Sequence, residues 1–254
     1  MIDTQNSRPT HEIGLEKVGV EGLKKFVTIE RPAHKYQVLV TIDSYIKLPH
    51  DQKGAHMSRF VESVNGTPDK TASLEELAKI IAVDASERHG FGCETKVTGE
   101  LPFRRLKPNG HEENGTIKAF AKYSTETRRS LVGFSLTGTL ACPCSKEMTN
   151  GLTHNQRGEL SVEVDVTGND VELHDVVTGC NDCFSSPTFS LLKRPEEKGI
   201  VERMHLNPKF VEDVTRECVS SLKRKYPDKF CKVRCVSFES IHDHNVTAEW
   251  AGVL

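Results

Sequence analysis

From Gly158 to Thr167 the chain places Leu160, Val162, Val164 and Val166 at every second position, with polar residues between them. Side chains two apart on an extended backbone share one face, so such a segment must bury that face against another layer. Tyr36 to Leu48 shows the same alternation in a stretch rich in Val, Ile and Thr. Extended segments also follow near 91–106, 115–126 and 129–141, with turn signals at Asn109-Gly110 and Asn114-Gly115. The chain closes with strands from Lys232 and through Ala248.

Helical periodicity interrupts these runs. Ser73 and Glu76 form a capping-box pattern ahead of Leu74, Leu77, Ala78, Ile81 and Ala85, and Gly90 is the expected stop. A helix is predicted near 171–179. Another is predicted from Asn207 as N-cap with Pro208 at the first helical position, lining Val211, Val214, Cys218 and Leu222 on one face. Each half of the chain thus pairs extended segments with helical ones, which gives an α+β class.

Composition narrows the functional classes. The 254 residues carry 34 basic and 36 acidic side chains, a net charge of -2 that argues against a nucleic-acid or membrane-surface partner. No run of 18 apolar residues is present, which gives no transmembrane helix, and the polar N-terminus has no signal-like apolar core. A cytoplasmic location is therefore expected. In that compartment the eight cysteines point to thiolate chemistry or core packing rather than disulfides.

Four clusters carry reactive groups. Cys142-Pro143-Cys144-Ser145, followed by His154-Asn155-Gln156-Arg157, joins thiols to an imidazole, both ligands for a zinc-like cation. The proline between the cysteines predicts a strand end or a loop. Glu239-Ser240-Ile241-His242-Asp243-His244 would put both histidines on one face of a strand, where they could bind a metal or move protons. Lys193 to Lys198 and Asn207 to Asp213 supply Glu197 and Glu212. A carboxylate in a helix's first turn is favoured by the dipole alone, but it could also receive the two donors of a guanine edge. His56-Met57-Ser58-Arg59 offers a guanidinium suited to phosphate. Cys180 and Cys183, with Cys142 and Cys144, could instead form a closed four-thiolate zinc site.

Read in order, these segments resemble the GTP cyclohydrolase type IB family and its archaeal relative. The matching pieces are Asp3-Thr4-Gln5, Val18-Gly19-Val20, Gly54 to Phe60, Cys142 to Glu147, His154 to Arg157, Ser185-Ser186-Pro187, Leu191 to Arg194, Asn207 to Asp213 and Glu239 to His242. The resemblance implies a bimodular tunnelling fold: two fused units, roughly 15–141 and 142–254, each an antiparallel sheet with paired helices. These would assemble into a barrel, typically as a homotetramer with active sites between subunits.

It also implies an activity, the hydrolytic opening of the guanine imidazole ring of GTP at C8. Formate leaves and a 7,8-dihydroneopterin phosphate forms for folate or methanopterin synthesis. The implied metal ligands are Cys142, His154 and Glu197, holding one zinc, manganese or iron(II). Cys142, His242 and His244 would be catalytic, with the two histidines transferring protons. Glu212 would anchor the purine, with Arg59, Ser58 and Ser186 also on the substrate. Glu239 and Cys144 would lie at the site without an assigned role. The cysteines at 180 and 183 depart from the family pattern, and the C-terminus is short, with Trp250 four residues from its end. The alternatives are the non-catalytic zinc module and another enzyme of the same fold, such as a nitrile reductase, whose reductase motif is not found.

Overall fold

A computed structural model describes residues 4–31, 34–107, 109–168 and 173–254. Asp3 and the first residues of the helix predicted near 171–179 lie outside the described residues. In chain order the elements are β1 (Leu15–Arg31), β2 (His34–Leu48), α1 (Met57–Asn65), β3 (Lys70–Thr71), α2 (Leu74–His89), β4 (Cys93–Leu106), β5 (Glu112–Ser124) and β6 (Arg129–Ala141). They continue with α3 (Pro143–Met148), β7 (Asn155–Asp165), α4 (Leu173–Asn181), β8 (Ser186–Pro187), α5 (Arg194–Leu206), α6 (Val211–Lys225), β9 (Phe230–Ser237) and β10 (Val246–Val253).

The chain forms two compact units. One comprises residues 1–100 and 119–132, the other 101–118 and 133–254. In the first, β1 and β2 pair antiparallel along nearly their whole length, from Leu15 opposite Leu48 onward, and β2 pairs antiparallel with β4. Val27, Ile29, Val38, Val40 and Ile42 are buried. So are Leu74, Leu77, Ala78, Ile81 and Ala85, the apolar stripe of α2. Both ends of α2 are capped as its sequence predicts. Ser73 Oγ accepts from Glu76 N at 3.1 Å, Glu76 Oε2 accepts from Ala72 N at 2.6 Å, and Gly90 closes the helix with φ of 75°.

In the second unit, β7 pairs antiparallel with β9, which pairs with β10. Leu160, Val162, Val164 and Val166 are buried as their spacing requires, alongside Cys231, Val233 and Cys235 of β9. Val211, Val214, Cys218 and Leu222 form the buried face of α6.

The expected bimodular tunnelling fold, two antiparallel sheets each with paired helices, is corrected. The strands form one ten-stranded sheet in the order β10-β9-β7-β6-β5-β4-β2-β1-β3, with β8 on β6. The sheet is mixed, because β3 runs parallel to β1. At the joint expected between two sheets, β6 and β7 are hydrogen-bonded neighbours, so the ladder carries through without a free edge. Among the described residues the helices are unequal in number too: α1 and α2 in one unit, α3 to α6 in the other.

Two local expectations also change. Asn207 ends α5 rather than starting α6: its N–H donates to Arg203 O at 3.0 Å. Helix α6 begins at Val211, because Lys209 N is committed to Ala141 O at 3.0 Å and the Asp213 carboxylate accepts from Phe210 N at 3.1 Å. The Cys142–Ser145 segment lies at a strand end, as its proline indicates: Cys142 follows the last residue of β6, and Pro143 opens a short helix, α3. Residues 238–245, which hold His242 and His244, form a loop and not a strand. The pairing with β7 runs one hydrogen bond past Ser237, from Phe238 N to Arg157 O at 3.0 Å, and the side chains of Ser237 and Glu239 turn toward Gln156.

Candidate active site

Cys142 directly follows β6 and caps α3, where its half-buried Sγ accepts from Ser145 N at 3.5 Å. Its backbone is tied to the start of β7: Cys142 N donates to His154 O at 3.2 Å, and Thr153 Oγ1 donates to Cys142 O at 2.7 Å. The fold thereby brings thiol and imidazole residues to adjoining strand ends, although eleven residues separate them in sequence. The exposed Cys144 lies two residues on in α3.

His154 enters a side-chain network. Its Nδ1 lies 2.9 Å from Gln156 Oε1 and 3.4 Å from Ser240 Oγ. Gln156 Nε2 donates to Ser237 Oγ at 3.0 Å and to Glu239 Oε1 at 3.3 Å. Ser237 Oγ donates to the same carboxylate oxygen at 2.6 Å. An amide that gives its N–H groups to Ser237 and Glu239 must present its oxygen to His154, and the neutral imidazole that meets that oxygen carries its proton on Nδ1. That tautomer leaves the Nε2 lone pair for a ligand or a proton.

Next to this network the loop between β9 and β10 carries His242 and His244. Both are exposed, with rings stacked at 5.3 Å between centroids and 22° between planes. His244 Nδ1 lies 3.4 Å from Asp243 Oδ1. Glu239, which the sequence placed at the site without a role, is thus the acceptor that orients Gln156. Gln156 and Ser237 had no assigned role in the sequence. The signal for Gln156 was its position two residues from His154, on the same face of β7.

The other predicted residues fall as follows. Glu212 is exposed in the first turn of α6. Its charge helps to raise the Cys235 thiol to about 12, a shift caused first by burial and then by Cys183. Glu197 is exposed in the first turn of α5, whereas its neighbour Glu196 is buried and accepts from Lys193 N at 2.7 Å. Ser186 is fully buried on β8, with its hydroxyl on Pro187 O. Ser58 and Arg59 belong to α1 in the other unit, where Arg59 Nη1 donates to Arg88 O at 2.8 Å. Among the described residues no three His, Cys, Asp or Glu side chains converge as a metal cage. In particular the four-thiolate arrangement is not assembled: Cys180 packs on Cys218, with Sγ atoms 3.4 Å apart.

Solved structures with this sheet identify its fold class. Uricase from Arthrobacter globiformis is similar with a TM-score of 0.59 at 10% identity, covering 94% of this chain and 93% of that one. The fold is therefore uricase-like. In sequence, residues 1–248 match the family described as type I GTP cyclohydrolase folE2. GTP cyclohydrolase MptA of Pyrococcus furiosus is 34% identical over 266 residues, covering 98% of this chain and 99% of the relative. GTP cyclohydrolase FolE2 of Geobacter sulfurreducens is 34% identical over 253 residues, covering 98% and 96%. The chain belongs to the type I GTP cyclohydrolase family and is a GTP cyclohydrolase, a hydrolase of pterin biosynthesis.

Proposed function

We propose that this chain opens the guanine ring of GTP at C8, releasing formate, with Cys142 and His154 as the protein's first two ligands to one divalent cation. The observation that carries this reading is the His154–Gln156–Glu239 network, which leaves the imidazole Nε2 free to ligate on a residue whose backbone is hydrogen-bonded to that of Cys142. A thiolate and an imidazole suit zinc and also accept iron(II) or manganese. When bound, such a cation supplies Lewis acidity that makes water nucleophilic near neutral pH. Glu197 is the third ligand in this reading, placed there by the family resemblance.

The remaining residues handle protons and the purine. The stacked imidazoles of His242 and His244 stand exposed on their loop, able to deliver a proton to the departing ring nitrogen. The Glu212 carboxylate would accept from the guanine N1–H and 2-amino group, with Ser186 near the base and with Ser58 and Arg59, supplied by a neighbouring subunit, toward the phosphates.

A homotetramer is part of the same reading. Met148, Leu152 and Ile241 are 77, 75 and 62% exposed, and they sit on the segments that carry Cys142, His154 and His242. Apolar side chains grouped around a polar site mark a surface that another chain can cover. Among the described residues no helix is long and apolar enough to cross a membrane, in keeping with a cytoplasmic enzyme.

The experiment is to supply anaerobic, metal-reconstituted protein with GTP and to measure formate and oxidised pterin fluorescence. Mass analysis then tells a triphosphate product from a cyclic phosphate. Stoichiometric formate and pterin are expected, and Cys142→Ala should lose both bound metal and turnover while keeping its circular dichroism spectrum. Full turnover by that variant would remove Cys142 from the metal site.

A further inference from the structure

The β4–β5 hairpin reaches across to the segment that leads into α5. Arg105 Nη1 donates to Thr188 O at 2.9 Å, Lys107 Nζ donates to Leu191 O at 2.5 Å, and Glu113 Oε1 accepts from Ser190 N at 2.7 Å. Three charged side chains thus hold the backbone of residues 188–191. A fourth contact is to a side chain. Asn109 Oδ1 accepts from His111 N at 2.9 Å, which fixes the amide, and its Nδ2 donates to Glu196 Oε1. Glu196 Oε2 accepts from Lys193 N at 2.7 Å.

Both oxygens of Glu196 are therefore engaged and the residue is buried, whereas its neighbour Glu197 is exposed. Consecutive residues on a helix point about 100° apart, so fixing Glu196 against the hairpin fixes the direction of Glu197. The far end of α5 is tied as well: Lys146 Nζ, on α3, donates to His205 O at 2.5 Å. A helix held at both ends has little freedom to turn about its axis.

We propose that Asn109 is a positioning residue for the metal site: by holding Glu196 it leaves Glu197 as the carboxylate of α5 that is free to ligate. This rests on the reading of Glu197 as the third ligand. Two adjacent glutamates offer the same oxygen donors to a cation, so residue type does not choose between them. Their hydrogen bonds do. Without the Asn109 amide, Glu196 keeps one partner of two, the first turn of α5 loosens, and Glu197 loses its fixed direction.

The test swaps the hydrogen-bonding pair in the full chain. Zinc affinity is measured by chelator competition, and backbone amide exchange over residues 188–198 is followed in the metal-free protein. Asn109→Asp sets a carboxylate against a carboxylate. It should lower zinc affinity about tenfold, the lower end for loss of an outer partner, and speed exchange in that segment. Adding Glu196→Gln puts a donor opposite an acceptor again, and the double variant should recover both readouts. Arg104→Ala, which removes only an exposed ion pair with Glu112 on the same hairpin, should change neither. Glu197→Gln should weaken zinc binding without altering exchange. If Glu197→Gln weakens zinc binding while Asn109→Asp does not, the positioning role is overturned and the ligand reading stands. Unchanged zinc affinity in Glu197→Gln would overturn the ligand reading and this inference with it. Should Asn109→Asp fail to fold, the double variant decides: parental affinity and exchange support the pairing, and a loss of either overturns it.

Discussion

At the scale of single residues, the orientation of His154 depends on an acceptor 85 positions later. Glu239 can only accept hydrogen bonds when ionised, and it takes one from Gln156 Nε2 and one from Ser237. That fixes the amide, and the amide fixes the imidazole. Gln156→Ala breaks the chain at its middle member and lets the ring rotate or change tautomer. Loss of such an outer partner typically costs about 10- to 100-fold in metal affinity or activity. We expect a loss of that size for zinc in a chelator competition titration, with the melting temperature close to that of the parent. Unchanged affinity would show that the imidazole is oriented by something else. Cys142 and His154 stand out in the sequence as candidate ligands because thiol and imidazole announce their chemistry by type. The role of Gln156 does not stand out, because the residue that dictates it lies far along the chain and meets it only when β7 pairs with β9.

At the scale of elements, what was legible was local. The Ser73–Glu76 cap, the apolar stripe of α2 and Gly90 all act within one helix, and the structure forms them as the sequence indicates. Ser73→Ala should cost about 1 kcal/mol, the usual value of an N-cap side chain, read as a lower urea midpoint. What was not legible depended on distant partners. The start of α6 shifted because Lys209 N bonds to Ala141 O across the fold. β1 escaped notice because its register with β2 shifts between Leu15 and Val18 and again between Val20 and Leu23, so no single alternation runs through it. Gly138 on β6 is another such case. A Cβ there would sit 2.1 Å from Cγ of the fully buried Phe184. Gly138→Ala must push that ring away and with it Ser185, whose Oγ accepts from Ala141 N at 3.3 Å beside Cys142. Overpacking of this kind costs about 1–3 kcal/mol. We therefore expect a lower urea midpoint together with weakened metal binding, whereas Ser73→Ala should move stability alone.

For the whole molecule, the sheet order could not be read from the sequence. Alternation gives a strand's buried face but not its neighbours. The same ladder nonetheless makes a prediction through the thiols it buries. Cys231 and Cys235 on β9 have both been pushed up to about 12, first by burial, and burial likewise raises Cys93 on β4. In the unfolded chain a thiol titrates near 8.5. Between these values the unfolded chain has released protons that the folded one retains, so stability falls as pH rises. Each such thiol removes about 1.4 kcal/mol per pH unit, so Cys231 and Cys235 together give a slope of about 2.7 kcal/mol per unit above pH 9. Against a typical total of about 5–15 kcal/mol, that brings unfolding within reach near pH 11. Cys183, held below its usual range, acts in the opposite sense but is one group against several. Urea midpoints at pH 7, 9 and 10.5 should therefore be level to pH 8 and then drop steeply. A Cys231→Ala, Cys235→Ala double variant should start lower, because it loses packing, but should decline less steeply. An equal slope in both proteins would assign the alkaline loss to other groups, with Tyr45, whose hydroxyl burial and its bond to Glu21 also raise, as the first to examine.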